Sequence, residues 1–224
     1  MIPRRLAAAA LLVVAALYGA RALALEAGYH YLHPGQLDLV LFLPPPPDPG
    51  SLQERTDQAE LAATISARSD SQVERAQQAI RNVFFFAPSV GSTFDATDDP
   101  VTAAFFDRIG ADVHKLVDDA KLYYGRPRPS GAAKRRGSYP SGHAAFAAAA
   151  AVVLAQAVPC KRSEIFKQAR AFGQNRIILG LHYPSDIVAG WTSGTLAAYA
   201  MMQDSHFQHD LAAAKAELRG ACPA

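Results

Sequence analysis

The sequence lacks strand-like alternation of polar and apolar residues, and it lacks any apolar run of the roughly 20 residues that a membrane span needs. The first absence excludes sheet architectures and leaves an all-α fold. The second excludes a protein with several membrane spans. Charge of one sign is lacking too, since 22 Lys and Arg stand against 20 Asp and Glu. Arg4, Arg5 and Arg21 all precede residue 25, and without them the count is 19 basic to 20 acidic. Bulk charge therefore offers no grip for a nucleic acid polymer or an anionic membrane. Cysteine is down to two, Cys160 and Cys222, neither at metal-ligand spacing with a histidine, so no zinc site is expected. An oxidising compartment would favour joining them, and the spacing alone leaves two free thiols open.

What is present fits one domain. The chain has 224 residues, half of them hydrophobic, enough for a substantial core. Residues 1–24 read as a cleaved signal peptide: Arg4 and Arg5, an apolar run from Leu6 to Tyr18, then small residues around Ala22 and Ala24. That predicts a periplasmic protein with a single domain over 25–224 and no membrane span after cleavage. Its first part is irregular, with an apolar run ending in Pro44-Pro45-Pro46-Pro47, read as an arm packed across the domain surface. Helices are predicted over 52–67, 71–86, 101–109, 111–124, 144–158, 163–173, 186–202 and 207–218. The 144–158 segment is almost wholly apolar and rich in alanine, and a helix apolar all round is a buried one. The expected architecture is a compact helical bundle around it.

Chemistry concentrates between Lys121 and Asp186. Lys121, Arg128 and Arg176 supply positive charge, Ser141 a hydroxyl, and His143, His182 and Asp186 the titratable groups. Pro140 suits the first position of a helix, which would set Ser141, Gly142 and His143 in a first turn whose N–H groups favour an anion. Pro184 repeats that grammar and places His182 just ahead of a helix. Asp186, about one turn on, is positioned to bond one imidazole nitrogen, fix the tautomer and leave the other nitrogen as a nucleophile. The grouping suits a small, doubly charged anion, with phosphate the obvious candidate. Each residue alone has an ordinary reading: Lys121 and Arg176 as helix-surface charges, His143 as a core histidine, Asp186 as a dipole partner.

Taken together, Lys121 with Arg128-Pro129, then Pro140-Ser141-Gly142-His143, then Arg176, His182 and Asp186 resemble the three-part signature of the type 2 phosphatidic acid phosphatase superfamily. The superfamily includes bacterial class A nonspecific acid phosphatases and vanadium haloperoxidases. The run from Leu43 to Pro47 and the tail resemble the class A enzymes, so the likeness extends over nearly all of 25–224. Asn175 stands where the family has serine, and the interval from Pro129 to Pro140 is short.

The resemblance implies a phosphomonoesterase of broad specificity acting on small-molecule phosphate monoesters, with no cofactor and no metal. It implies His182 as nucleophile, Asp186 holding its ring, and His143 as acid and then base. It implies a phosphate cradle of Lys121, Arg128, Arg176, Ser141 and Gly142. A vanadate-dependent haloperoxidase would use the same cradle but tends to be larger. A phosphate-binding module would need no histidine with its own aspartate, and a lipid phosphatase would carry several transmembrane helices. A homodimer is left open.

Overall fold

Between positions 144 and 151 every residue but Phe146 is alanine. Alanine has the best helix propensity and no side-chain entropy to lose, and its small size lets neighbouring helices come close. The computed structural model, which describes residues 28–129 and 137–222, is built around that property. The leader expected over 1–24 and the basic stretch of Lys134, Arg135 and Arg136 lie outside the described residues. Among the described residues there are nine α-helices and no strand. They are α1 (Leu39–Phe42), α2 (Leu52–Ala67), α3 (Asp70–Gln78), α4 (Ala87–Val90) and α5 (Pro100–Tyr124), followed by α6 (Gly142–Ala157), α7 (Arg162–Ile178), α8 (Pro184–Met201) and α9 (Ser205–Glu217).

Helix α6 is the buried centre, with α5, α7, α8 and α9 packed around it. Its tightest neighbour is α8. A Cβ on Gly194 would run into the carbonyl of Ala145, and one on Gly190 would stand 2.8 Å from the Ala144 Cβ. The two helices thus meet backbone to backbone, which brings the start of α6 beside the start of α8. The proline arm packs across the domain as expected: Leu43 O accepts from Tyr124 Oη at 3.1 Å and Pro44 O from Tyr139 Oη at 2.6 Å. Asp112 ties down the chain ahead of the arm by accepting the backbone N–H groups of His30, Tyr31 and Leu32. At the other end, Glu217 of α9 accepts the first-turn N–H groups of Val101 and Thr102 in α5. Cys160 and Cys222 are bonded, with Cα atoms 5.9 Å apart and a sequence separation of 62. By loop-closure reckoning such a link contributes roughly 4 kcal/mol.

Three element boundaries differ from expectation. The helices expected over 101–109 and 111–124 are one, because Gly110 does not break α5; it makes room for the Phe146 ring, 3.3 Å from where a Cβ would lie. The helix expected over 71–86 stops at Gln78, and a separate 3-10 turn, Val83–Phe86, follows with Asn82 accepting from the Phe85 N–H. That turn brings Phe86 into the core. Helix α7 runs on past Gly173 to Ile178, since Gly173 is where Ile187 and Trp191 of α8 close in. Arg176 is therefore helical.

Gly194→Ala should destabilise the protein by about 1–3 kcal/mol or more through overpacking, since the obstruction is backbone. Gly220→Ala, whose Cβ would meet nothing within 4 Å, is the control and should stay within about 0.5 kcal/mol of wild type in urea unfolding.

Candidate active site

Three chain segments build the site. The first leaves α5 at Gly125, whose left-handed φ of 60° suits glycine, and continues extended through Arg126-Pro127-Arg128-Pro129. Residues two apart on such a strand-like segment share a face in a flat strand, yet here the two arginines take different partners. Arg128 Nη1 donates to Leu181 O at 3.0 Å and lies 3.1 Å from His182 Nε2. Arg126 turns inward: Nη1 donates to Asp186 Oδ1 at 2.7 Å and Nη2 to Asp57 Oδ2 at 2.8 Å. Its guanidinium also lies over the Tyr183 ring, 4.2 Å from the centroid. Lys121, in the last turn of α5, is buried rather than a surface dipole partner. Its Nζ donates to Gly137 O and Ser138 O at 3.0 and 3.1 Å.

The second segment corrects the reading of Pro140 as the first helical residue. The Tyr139–Pro140 peptide is cis, and Ser141 is the N-cap of α6 with extended backbone. Its Oγ accepts from the Ala144 N–H at 3.4 Å, the ordinary work of a capping serine. Ser141 N donates to Asp186 O at 2.9 Å, a direct link between the starts of α6 and α8. Gly142 and His143 open the helix. The His143 ring stacks on Phe172 of α7, with centroids 5.6 Å apart, and Phe85 packs on that same phenylalanine.

The third segment is the end of α7 and the start of α8. Phe172 and Arg176 are four apart on α7, so Arg176 and the ring on which His143 stacks share one face of that helix. Arg176 Nη2 donates to Ala76 O at 3.0 Å. Pro184 opens α8 as expected, and His182 Nδ1 lies 3.2 Å from Asp186 Oδ2, which also accepts the Tyr183 N–H at 3.0 Å. Direct contacts thus join Arg128, His182, Asp186 and Ser141. Lys121 and Arg128 share the Gly137 carbonyl, and Arg176 shares a helix face with the Phe172 on which His143 stacks.

Electrostatics sorts these groups. Burial pushes the His182 imidazole down to about 4, with Lys121 and Arg128 adding to the effect and Asp186 opposing it. The ring is then neutral above that pH, its Nδ1–H donates to Asp186, and Nε2 carries the lone pair. Burial works to raise the Asp186 carboxyl but is outweighed, and beside a neutral ring the groups that hold it ionised are Arg126, the His182 N–H and the Tyr183 N–H. Burial also lowers Lys121 to about 7, helped by Arg128 and opposed by Asp186. Arg128 and Arg176 are lowered by burial as well, and guanidinium remains charged regardless. Their Nε atoms are two of three buried side-chain nitrogen or oxygen atoms without a partner among the described residues. Buried cationic N–H groups with no acceptor are donors for an anion. The described residues contain no cluster of three His, Cys, Asp or Glu able to hold a metal ion.

Sequence reasoning missed Asp57 and Arg126. Arg126 had a signal, a second arginine in Arg-Pro-Arg-Pro. Asp57 had none among the acids of a polar helix.

Residues 104–210 match the PAP2 superfamily. The chain is 31% identical to a non-specific acid phosphatase of Providencia stuartii, over 84% of each chain. It is also 31% identical to one of Salmonella typhi, covering 79% of this chain and 78% of that one. An acid phosphatase of Zymomonas mobilis is 27% identical over 86% of this chain and 78% of its own. The chain belongs to the PAP2 superfamily and, within it, to the class A non-specific acid phosphatases. In fold it is similar to a transmembrane PAP2-type phosphatidylglycerolphosphate phosphatase from Bacillus subtilis, with a TM-score of 0.52 at 18% identity, covering 69% of this chain and 87% of that one. Among the described residues here, no helix is long and apolar enough to cross a membrane.

The buried neutral histidine has a stability signature. Its folded pKa of about 4 lies below the ordinary 6.5, so between those values the unfolded chain binds more protons and stability rises with pH. Across that window the wild type should gain on the order of 3 kcal/mol relative to His182→Gln, read by urea unfolding at stepped pH. Parallel curves for the two proteins would mean the ring is charged when folded.

Proposed function

We propose that this acid phosphatase hydrolyses small-molecule phosphate monoesters of broad specificity in the periplasm, through a phosphohistidine and without a metal. The observation that carries the reading is His182, which gives its Nδ1–H to Asp186 and turns its Nε2 lone pair toward Arg128. An ester phosphate bound to Lys121, Arg128 and Arg176 takes over the Arg128 donor and so uncovers the lone pair. Nε2 then attacks phosphorus in line, the P–O bond to the alcohol breaks, and His143 gives its proton to the leaving oxygen. Water next attacks phosphorus while His143 takes its proton, and the N–P electron pair returns to His182. Lys121, Arg128 and Arg176, with the Gly142 N–H at the α6 start, neutralise the equatorial oxygens throughout. Ser141 caps the helix and holds that N–H in place.

The two shifted groups support an acidic working range. Below about 7 Lys121 is charged, and above about 4 His182 is neutral, so cradle and nucleophile are both competent between those values. Export is the reading of the leader-like sequence over 1–24 and is consistent with the bonded cysteines.

The acid role of His143 separates from nucleophilic attack by choice of leaving group. Single-turnover phosphorylation of His143→Ala, run in excess chelator, should slow far more with an alkyl phosphate than with p-nitrophenyl phosphate, whose phenolate needs little protonation. Equal losses for the two esters would leave His143 as a positioning group. A wild-type enzyme silenced by the chelator would overturn the metal-free step.

A further inference from the structure

Behind Asp186, on the side away from His182, the structure holds a second carboxylate and a cation. Asp57 is 5% exposed and Arg126 8%, and both belong to the same bonded group. Arg126 Nη1 donates to Asp186 Oδ1 and to Ser185 Oγ, both at 2.7 Å, and Nη2 donates to Asp57 Oδ2 at 2.8 Å. Asp57 Oδ1 accepts the Ser185 N–H at 3.0 Å, and Oδ2 also accepts the Ser185 hydroxyl. The path runs Asp57, Arg126, Asp186, His182, and every link is a charge-assisted hydrogen bond. It draws on three elements: α2, the extended segment after α5, and the first turn of α8.

We infer that Asp57 and Arg126 are positioning residues for the nucleophile: Arg126 fixes the Asp186 carboxylate, and Asp57 fixes and neutralises Arg126. This rests on the reading of His182 as nucleophile. The physical need is specific. Asp186 has to point one oxygen at the His182 ring and keep enough negative charge there to stabilise the positive ring that forms when Nε2 bonds to phosphorus. A guanidinium alone on the other oxygen would hold the carboxylate but draw off its charge. Asp57 offsets that cation. The same carboxylate grips the backbone and hydroxyl of Ser185, next to Asp186, so the α8 turn cannot rotate the pair out of register. Neither Asp57 nor Arg126 touches the donors assigned to phosphate, so binding and reaction should respond differently to their loss.

The test compares the phosphorylation rate with the binding of inorganic phosphate. Asp57→Asn keeps the shape and removes the charge. It should lower kcat/KM for p-nitrophenyl phosphate about 10- to 100-fold, the range seen when the partner behind a metal-bound histidine is lost. Its inhibition constant for inorganic phosphate should stay within about twofold of wild type. Asp57 lines a cavity of about 330 Å³ against the proline arm, so a longer acid has room there. Asp57→Glu should accordingly lie nearer the wild type than Asp57→Asn does. An Asp57→Asn enzyme within twofold of wild type in kcat/KM, or one whose phosphate binding weakens in step, would overturn the inference. If Asp57→Asn does not fold, Ser185→Ala reads the same link: a loss of about threefold or more with phosphate binding kept supports it, and an unchanged kcat/KM overturns it. His182→Ala runs in parallel. An inactive His182→Ala beside an undiminished Asp57→Asn sinks the relay alone, whereas an active His182→Ala sinks the nucleophile and the relay with it.

Discussion

A carboxylate with no exposed surface costs several kcal/mol unless donors surround it, and Asp186 is wholly buried. Its donors define the site. One oxygen takes Arg126, the other takes His182 and the Tyr183 N–H, and its backbone carbonyl takes the Ser141 N–H. Through these bonds one residue joins the end of α5, the start of α6 and the start of α8. The arrangement is possible only because α6 and α8 touch backbone to backbone at Gly190 and Gly194. Packing and electrostatics are the same constraint here: a methyl group between the helices would separate the capped turn from the histidine.

The cations are held in a different way. Lys121, Arg128 and Arg176 rest on backbone carbonyls, those of Gly137, Ser138, Leu181 and Ala76. Carbonyls satisfy N–H groups without cancelling charge, so positive potential is kept in a partly desolvated place. Two arginine Nε atoms retain unused donors there. Asp186, whose charge reaches both Lys121 and Arg128, is already committed to Arg126 and His182. A doubly charged tetrahedral anion answers both the surplus charge and the spare N–H groups.

Much of this was legible in the sequence, for identifiable reasons. The all-α class followed from periodicity, and the buried centre from the alanine run of α6. His182 with Asp186 followed from spacing, because four residues at a helix start have a fixed geometry. What escaped depended on contacts distant in sequence. Asp57 lies 69 residues from its partner Arg126, and no local pattern marks such a pair. From sequence the single helix α5 reads as two, because Gly110 looks like a break until Phe146 is set against it. Pro140 reads as the first helical residue because a cis peptide before it leaves no trace in composition.

In the proposed reaction phosphorus passes through His182. The most direct measurement is to mix the enzyme with a ³²P-labelled monoester, denature it in alkali within the first turnover, and map the label by peptide. Alkali is needed because phosphohistidine is lost in acid. Passage through His182 predicts label on the peptide carrying it, stable in base and released in acid, and, with p-nitrophenyl phosphate as the ester, more of it in His143→Ala. Hydrolysis at the wild-type rate with no labelled peptide, or label on another residue, would contradict it.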